Sequence, residues 1–315
     1  MGVVDELATI QPQKEMVLTI GVFDGVHPGH QHLINALKAK ADETGLMSGV
    51  VTFGWHPKAL LEPQTELPYL TTLEERVRLI KGLGVDRVIV LSFTQELSQL
   101  TAREFVTLMR QYLNMRAIVL GPDFALGKGR GGNIEVLRGL GEEMDFSVDV
   151  VSPLQVGDQV VSSTAIREAL KEGSVRKVTQ LLGRRFVLNG TVVRGDQRGG
   201  KLLGFPTVNL SILRNHALPA DGTYVTLAHV DDKSYRAVTN IGLRPTFGEG
   251  ERTIETHIID FCEDLYEQRI GIEFIKRIRG EMKFESLEQL KEQIGKDVAR
   301  ARDIPIETGF INVSS

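Results

Sequence analysis

Val17-Leu18-Thr19-Ile20-Gly21-Val22-Phe23-Asp24-Gly25-Val26-His27-Pro28-Gly29-His30 is the stretch that decides how the first half of the chain folds. Val17–Gly21 reads as a buried strand, and Gln31–Ala41 reads as a helix that Pro28 opens. Proline suits a first helical turn because its missing N–H is not needed there. Gly25 and Gly29 let the backbone approach a ligand closely. The helix start offers free N–H groups and positive potential, a ready seat for phosphates. His27 and His30, three residues apart, face the same spot. Imidazoles so placed can bond phosphate oxygens and stabilise charge as pyrophosphate leaves an α-phosphorus, with no covalent step.

Outward from this turn, residues 17–182 alternate strand-like and helix-like segments. Further strands are expected at Gly49–Phe53, Val88–Leu91, Ala117–Leu120 and Phe146–Val151. Thr72 with Glu75, and Thr101 with Glu104, mark helix starts by the capping-box pattern. Strands alternating with helices predict an α/β class, a parallel sheet covered on both faces. Such sheets bind ligands beyond the carboxyl ends of their strands, near the switch point. After about Gly183 the texture changes to short β-branched runs at Phe186–Val193, Tyr224–His229, Tyr235–Thr239, Thr253–Asp260 and Ile270–Ile278. Gly, Pro, Asp and Asn clusters separate them, which predicts an antiparallel sheet or small barrel. A terminal helix capped by Ser286 runs to about Arg302, and the expected domains are 1–182 and 183–315.

Composition narrows the function classes. A chain of 315 residues is long enough for two cores. With 42% hydrophobic and 25% charged residues it has an ordinary soluble composition. The net charge of -4 gives no electrostatic reason to expect a nucleic-acid partner. Cys262 is the sole cysteine, which excludes intrachain disulfides and a Cys-rich zinc site. Residues 1–14 lack the basic and apolar regions of a leader, and no apolar run reaches membrane length. The expectation is a cytoplasmic protein with small-molecule partners, no nucleic acid and no membrane; its oligomeric state is not legible.

Ser162-Ser163-Thr164-Ala165-Ile166-Arg167 predicts a second phosphate-binding helix end. Ser163 or Thr164 would cap a helix over Ala165–Lys171, with Arg167 in its first turn as a fixed cation. Gly204-Phe205-Pro206-Thr207-Val208-Asn209-Leu210 places a Thr207 hydroxyl and an Asn209 amide carbonyl on one side of an extended segment. Both are hard oxygen donors, suited to magnesium bridged by nucleotide phosphates. Two other glycine patterns carry no such chemistry. Gly127–Gly132 fits a dinucleotide pattern but lacks the tight strand-to-helix turn, and reads as a mobile basic loop. Gly195–Lys201 mimics a phosphate loop, yet Leu202 stands where Ser or Thr must hold magnesium.

The opening motif resembles the His-x-x-His signature of nucleotidyltransferases. In its fuller form, Phe23–His30 resembles the adenylyltransferase module of the bacterial bifunctional riboflavin kinase/FAD synthetase family. Thr52-Phe53 with His56-Pro57, Gly121-Pro122-Asp123-Phe124 and Ser162–Arg167 follow in that family's order. Gly204–Asn209 resembles the Gly-Phe-Pro-Thr-x-Asn motif of riboflavin kinases, and Asp221–Tyr224, Asn240–Phe247, Glu255–His257 and Asp264–Tyr266 do likewise. The resemblance covers residues 17–302 and implies a Rossmann-like nucleotidyltransferase domain followed by a kinase barrel.

The resemblance also implies chemistry and roles. Riboflavin would be phosphorylated to FMN in the second domain, and FMN adenylylated to FAD in the first, with ATP as co-substrate and Mg2+ at Thr207 and Asn209. Gly21, Phe23, Asp24, Gly25, His27, His30, Ser163, Thr164 and Arg167 would bind ATP in the first domain, and Gly204, Thr207 and Asn209 in the second. Asp123, Phe124 and Leu126, and in the kinase Arg244 and Thr246, would contact flavin. Glu255 would be the general base of the kinase, although alone it reads as a solvent-facing strand carboxylate. Departures stand beside these matches: Ala125 and Leu126 replace an Arg and an aromatic, Trp55 a smaller residue, Lys201 an Arg and Glu267 a Gly. They leave open a chain active only as a riboflavin kinase, or a flavin sensor without catalysis. A general nicotinamide-nucleotide adenylyltransferase would leave residues 183–302 unexplained.

Overall fold

A computed structural model describes residues 2–10, 12, 14–61, 64, 67–156, 159–194, 204–243 and 252–306. The chain divides into two compact units, Met1–Ser163 and Thr164–Ser315.

The first unit is built on a five-stranded sheet in the order β3-β2-β1-β4-β5. Its strands are β1 (Met16–Ile20), β2 (Met47–Phe53), β3 (Arg87–Leu91), β4 (Met115–Leu120) and β5 (Ser147–Val150). All adjacent pairs are parallel, as the alternation of strands and helices predicts. β1 is buried along its whole length, and its side chains alternate between two cores. Met16, Leu18 and Ile20 join Leu7 of α1 (Val3–Ala8), Phe105 and Met109 of α6 (Ala102–Leu113) and Leu137 of α7 (Ile134–Met144). Val17 joins Ile34 and Leu37 of α2 (Pro28–Thr44) and Ile80 of α4 (Leu73–Gly82). Short helices α3 (Pro57–Leu61) and α5 (Gln95–Gln99) follow β2 and β3, and β6 (Gln155–Val156) pairs with β7 (Gln159–Val160). From β1 the chain moves outward through β2 to β3, then returns to the other side of β1 as β4. That reversal opens a crevice at the carboxyl ends of β1 and β4.

Helix starts follow the sequence closely. Thr101 and Glu104 form a complete capping box at α6, and the Thr72 hydroxyl accepts from the Glu75 N–H at 3.1 Å. One cap differs from its expectation. Helix α8 spans Ser163–Lys171, so neither Ser163 nor Thr164 stands ahead of it, and Arg167 falls beyond the first turn. The Ser163 hydroxyl instead donates to the Asp24 carbonyl at 2.8 Å.

The second unit carries most of α8, then α9 (Val175–Leu182) and a closed barrel in the order β10-β11-β12-β9-β8-β13. The strands are β8 (Val187–Val193), β9 (Val208–Ser211), β10 (Gly222–Val230), β11 (Lys233–Leu243), β12 (Arg252–Ile258) and β13 (Arg269–Arg279). Every neighbouring pair is antiparallel. Thr226, Thr239 and Thr256 are fully buried and satisfy one another through hydroxyl hydrogen bonds of 2.8 and 2.9 Å. Helix α10 (Leu287–Asp303) lies against β10 and β11, where Val225, Val238 and Ile259 meet Val298 and Ala301. Arg279 reaches across to the buried Asp297 with two hydrogen bonds, at 3.0 and 2.8 Å. Arg236 donates to the carbonyls of Ala301 and Ile304 at the last turn, where carbonyls lack helix partners.

Candidate active sites

The turn after β1 is strained. Phe23, Gly25 and Val26 have φ of 54°, 83° and 40°. Only glycine adopts that region at no steric cost, and a β-branched residue there must be held by its surroundings. The holding groups are visible. Buried Asp24 accepts from the N–H of Leu70 at 3.0 Å and from the N–H and hydroxyl of Thr71 at 3.1 Å. The Thr71 hydroxyl in turn accepts from the Gly25 N–H at 3.1 Å. Beneath them the Arg76 guanidinium, on α4, donates to the carbonyls of Val22 (2.8 Å) and Phe53 (3.0 Å). Burial pulls Arg76 below the ordinary arginine value, while Asp24 and Tyr69 oppose that pull.

This turn delivers the histidines as a pair. His27 caps α2, its Nδ1 accepting from the His30 N–H at 3.3 Å. The two rings stack with centroids 3.6 Å apart and planes 19° from parallel. The edge of Phe23 meets His30 at 5.3 Å. Space is tight at Gly29: a Cβ there would lie 3.2 Å from the His27 ring and 3.3 Å from the Val161 carbonyl, so one of them would have to give by a few tenths of an ångström. Gly21 similarly admits the Phe23 ring, 3.1 Å from where its Cβ would be. A pair of imidazoles at a helix start, on the central strand of a doubly wound sheet, is suited to an anionic ligand.

The segment after β4 is tied to its surroundings by packing and backbone hydrogen bonds. Phe124 and Leu126 pack against the core that α6 and α7 share, and Asp123 is exposed. Leu126 and Gly132 pair through two backbone hydrogen bonds, 3.1 and 2.9 Å. Lys128 N–H donates to the Leu100 carbonyl at 2.7 Å, and Arg130 to that of Asp123 at 3.0 Å. A Cβ at Gly127 would lie 2.6 Å from the Ala102 nitrogen, so this glycine serves the approach to α6. Trp55, after β2, is 65% exposed. Thr164 is exposed, and Arg167 is buried on α8 within the second unit.

In the barrel, strand register assembles the candidate residues. Glu255 on β12 stands opposite Asn209 on β9 and opposite Asn240 on β11. Residues opposite each other on antiparallel strands share a face, so one carboxylate sits between two amides. Asn240 is fixed by the Thr223 hydroxyl, which donates to its Oδ1 at 3.1 Å. Asn240, the first residue of the Asn240–Phe247 segment, takes its place beside Glu255 from strand register. Thr207 is exposed immediately ahead of β9, and Gly204 has a left-handed φ of 77°. His257 Nδ1 donates to the Pro206 carbonyl at 2.8 Å and its ring meets the Phe205 edge at 5.4 Å, which pins this segment to β12. Arg244, Thr246 and Lys201 lie outside the described residues.

A paired-histidine helix start in one unit and a carboxylate set among amides in the other give the class in outline, a protein with a separate polar site in each of two modules. Comparison with known proteins sharpens this. A family model described as FAD synthetase matches residues 9–165, and one described as riboflavin kinase matches residues 182–305. A curated relative from Pseudomonas fluorescens, a bifunctional riboflavin kinase/FMN adenylyltransferase, is 37% identical over 305 residues, 96% of this chain and 97% of its own length. One of the same description from Bacillus subtilis is 36% identical over 298 residues, covering 92% and 93%. The chain belongs to the bifunctional riboflavin kinase/FMN adenylyltransferase family. A solved structure from Streptococcus pneumoniae, described as a macrolide-efflux protein, shares the whole architecture at TM-score 0.86 and 33% identity, covering 95% of this chain and 97% of its own. Among the described residues no helix is long and apolar enough to cross a membrane.

Proposed function

We propose that the barrel phosphorylates riboflavin to FMN with ATP, and that the first module joins FMN to AMP from a second ATP, giving FAD and pyrophosphate. The observation that carries the second step is the stacked His27–His30 pair at the start of α2. In that step an FMN phosphate oxygen attacks the α-phosphorus, the new P–O bond forms, and the bond to pyrophosphate breaks. His27 accepts at Nδ1, so its proton sits on Nε2 and is donated from there to a phosphate oxygen. We assign Arg167, Ser163 and Thr164 to the ATP phosphates, and Asp24 to holding the turn through Leu70 and Thr71. Phe124, Asp123 and Leu126 form the flavin side of this module.

In the barrel, Glu255 takes the proton of the terminal ribityl hydroxyl as that oxygen attacks the γ-phosphorus and ADP leaves. Asn209, opposite Glu255, and Thr207 two residues before it offer an amide carbonyl and a hydroxyl, a donor set that suits magnesium shared with ATP phosphates. Bound there, the ion would neutralise phosphate charge. We assign Arg244 and Thr246 to the flavin and Gly204 to the nucleotide. We divide the modules at 182/183. The family spans end at 165 and resume at 182, while α8 and α9 count with the barrel by compactness. A single cysteine and the use of ATP suit the cytoplasm.

The test is one reaction of purified protein with riboflavin, ATP and Mg2+, the flavins being separated by chromatography over time. FMN should rise first and FAD follow. FMN accumulating without FAD would restrict catalysis to the barrel, and no product from riboflavin or FMN would overturn the proposal.

A further inference from the structure

Arg76 belongs to none of the motifs quoted from the sequence above, yet among the described residues it is the most deeply enclosed cation beside the histidine turn. The residue is 1% exposed. Its Nη1 donates to the carbonyls of Val22 and Phe53, at 2.8 and 3.0 Å, with the Thr52 hydroxyl at 3.5 Å. Thr52 itself donates to the Val22 carbonyl at 3.0 Å. The Phe53 carbonyl ends β2, and the Val22 carbonyl lies two residues past β1, just before Phe23, where the chain turns left-handed. Tyr69 lies 5.9 Å below the guanidinium, and its hydroxyl accepts from the His56 N–H at 2.6 Å. Asp24, bonded to Leu70 and Thr71, acts on the guanidinium through its charge.

Together these contacts hold three things at once: the mouth of β1, the mouth of β2 and the segment 69–71. Both bonds leave one nitrogen, Nη1, so a cation with two free N–H groups of equal reach can make them and an apolar side chain cannot. Burying such a cation is costly, and its retention here needs a return. We infer that Arg76 is a positioning residue for adenylyl transfer: it locks the strained turn so that His27 and His30 stay stacked toward the nucleotide. This rests on the proposed activity of the first module, but its structural half does not.

The experiment uses the full chain and two variants, Arg76→Lys and Arg76→Met. Both ring stacking and activity are read. Stacked imidazoles 3.6 Å apart shift each other's ring proton resonances upfield, so histidine-labelled protein reports the pair without any turnover. In folded Arg76→Met both histidine signals should move toward free-histidine positions, and in Arg76→Lys they should stay near the parent's. The kcat for FAD formation from FMN should fall at least tenfold in Arg76→Met, KM should change less, and FMN formation from riboflavin should stay at the parent rate. Arg76→Lys should recover most of that kcat. Unshifted histidine signals, or FAD formation within twofold of parent, in folded Arg76→Met would overturn the inference. A parent chain that makes no FAD would instead defeat the proposed activity, leaving the histidine signals to judge Arg76.

Discussion

Replacing Asp297 with alanine should loosen the barrel's cover over its outer face. Asp297 is buried on α10, and its carboxylate accepts from Arg279 Nε (3.0 Å), Arg279 Nη2 (2.8 Å) and Gln293 Nε2 (3.0 Å). Alanine leaves all three donors without that acceptor. Breaking a buried ion pair by removing one partner costs about 3–5 kcal/mol. Arg279 keeps 18% side-chain exposure and a 3.1 Å bond from Nη1 to the Gly280 carbonyl, so the low end applies, about 3 kcal/mol. Hydrogen exchange read on peptides of β10 and β11 reports that loss directly, as roughly a hundredfold faster exchange of their slowest amides. The double variant Arg279→Met with Asp297→Leu should recover most of it, since an apolar pair needs no acceptor. Exchange within threefold of parent in Asp297→Ala would refute the reasoning, because the pair would then contribute nothing measurable.

Three further outcomes follow from local geometry. Gly29→Ala should push the His27 ring or the Val161 carbonyl aside and cut FAD formation while FMN formation is unchanged, measured as two initial rates. Glu267 holds a left-handed φ of 64°, and Glu267→Gly should stabilise the barrel by about 1 kcal/mol, seen as a small rise in its Tm. Burial pushes the Tyr224 phenol up to about 12, so the unfolded chain ionises first as pH rises. Barrel stability contributed by Tyr224 is therefore present below its ordinary value of 10.0 and is lost between there and about 12, a slope that denaturation of Tyr224→Phe at high pH should lack.

The sheet and barrel were legible because their strands are apolar runs with clear punctuation: β2, β3, β4, β10, β11 and β13 enclose the expected runs, and β1, β5, β8 and β12 overlap theirs within two residues. β9 was legible only as an extended segment: it has four residues, two of them polar, and follows Pro206. Helix α7 opens after a glycine loop that hides its start, with Asn133 as the cap. The histidine pair was legible since strand, turn and helix adjoin in sequence. Arg76 was not, because its partners Val22 and Phe53 are 54 and 23 residues away. Asn240 gains its place from register with Glu255, which a single chain of letters does not encode. The α8 start was misplaced because serine and threonine run in series there, and the choice among them is made by Ser163 bonding Asp24.

The central claim is that two chemistries are seated separately, FMN formation at Glu255 and FAD formation at His27 and His30. The most direct measurement supplies riboflavin or FMN, with ATP and Mg2+, to His27→Ala/His30→Ala and to Glu255→Gln. The account predicts that the histidine variant makes FMN at the parent rate but no FAD, and that Glu255→Gln makes FAD from FMN but no FMN from riboflavin. Loss of both products in either folded variant would contradict it.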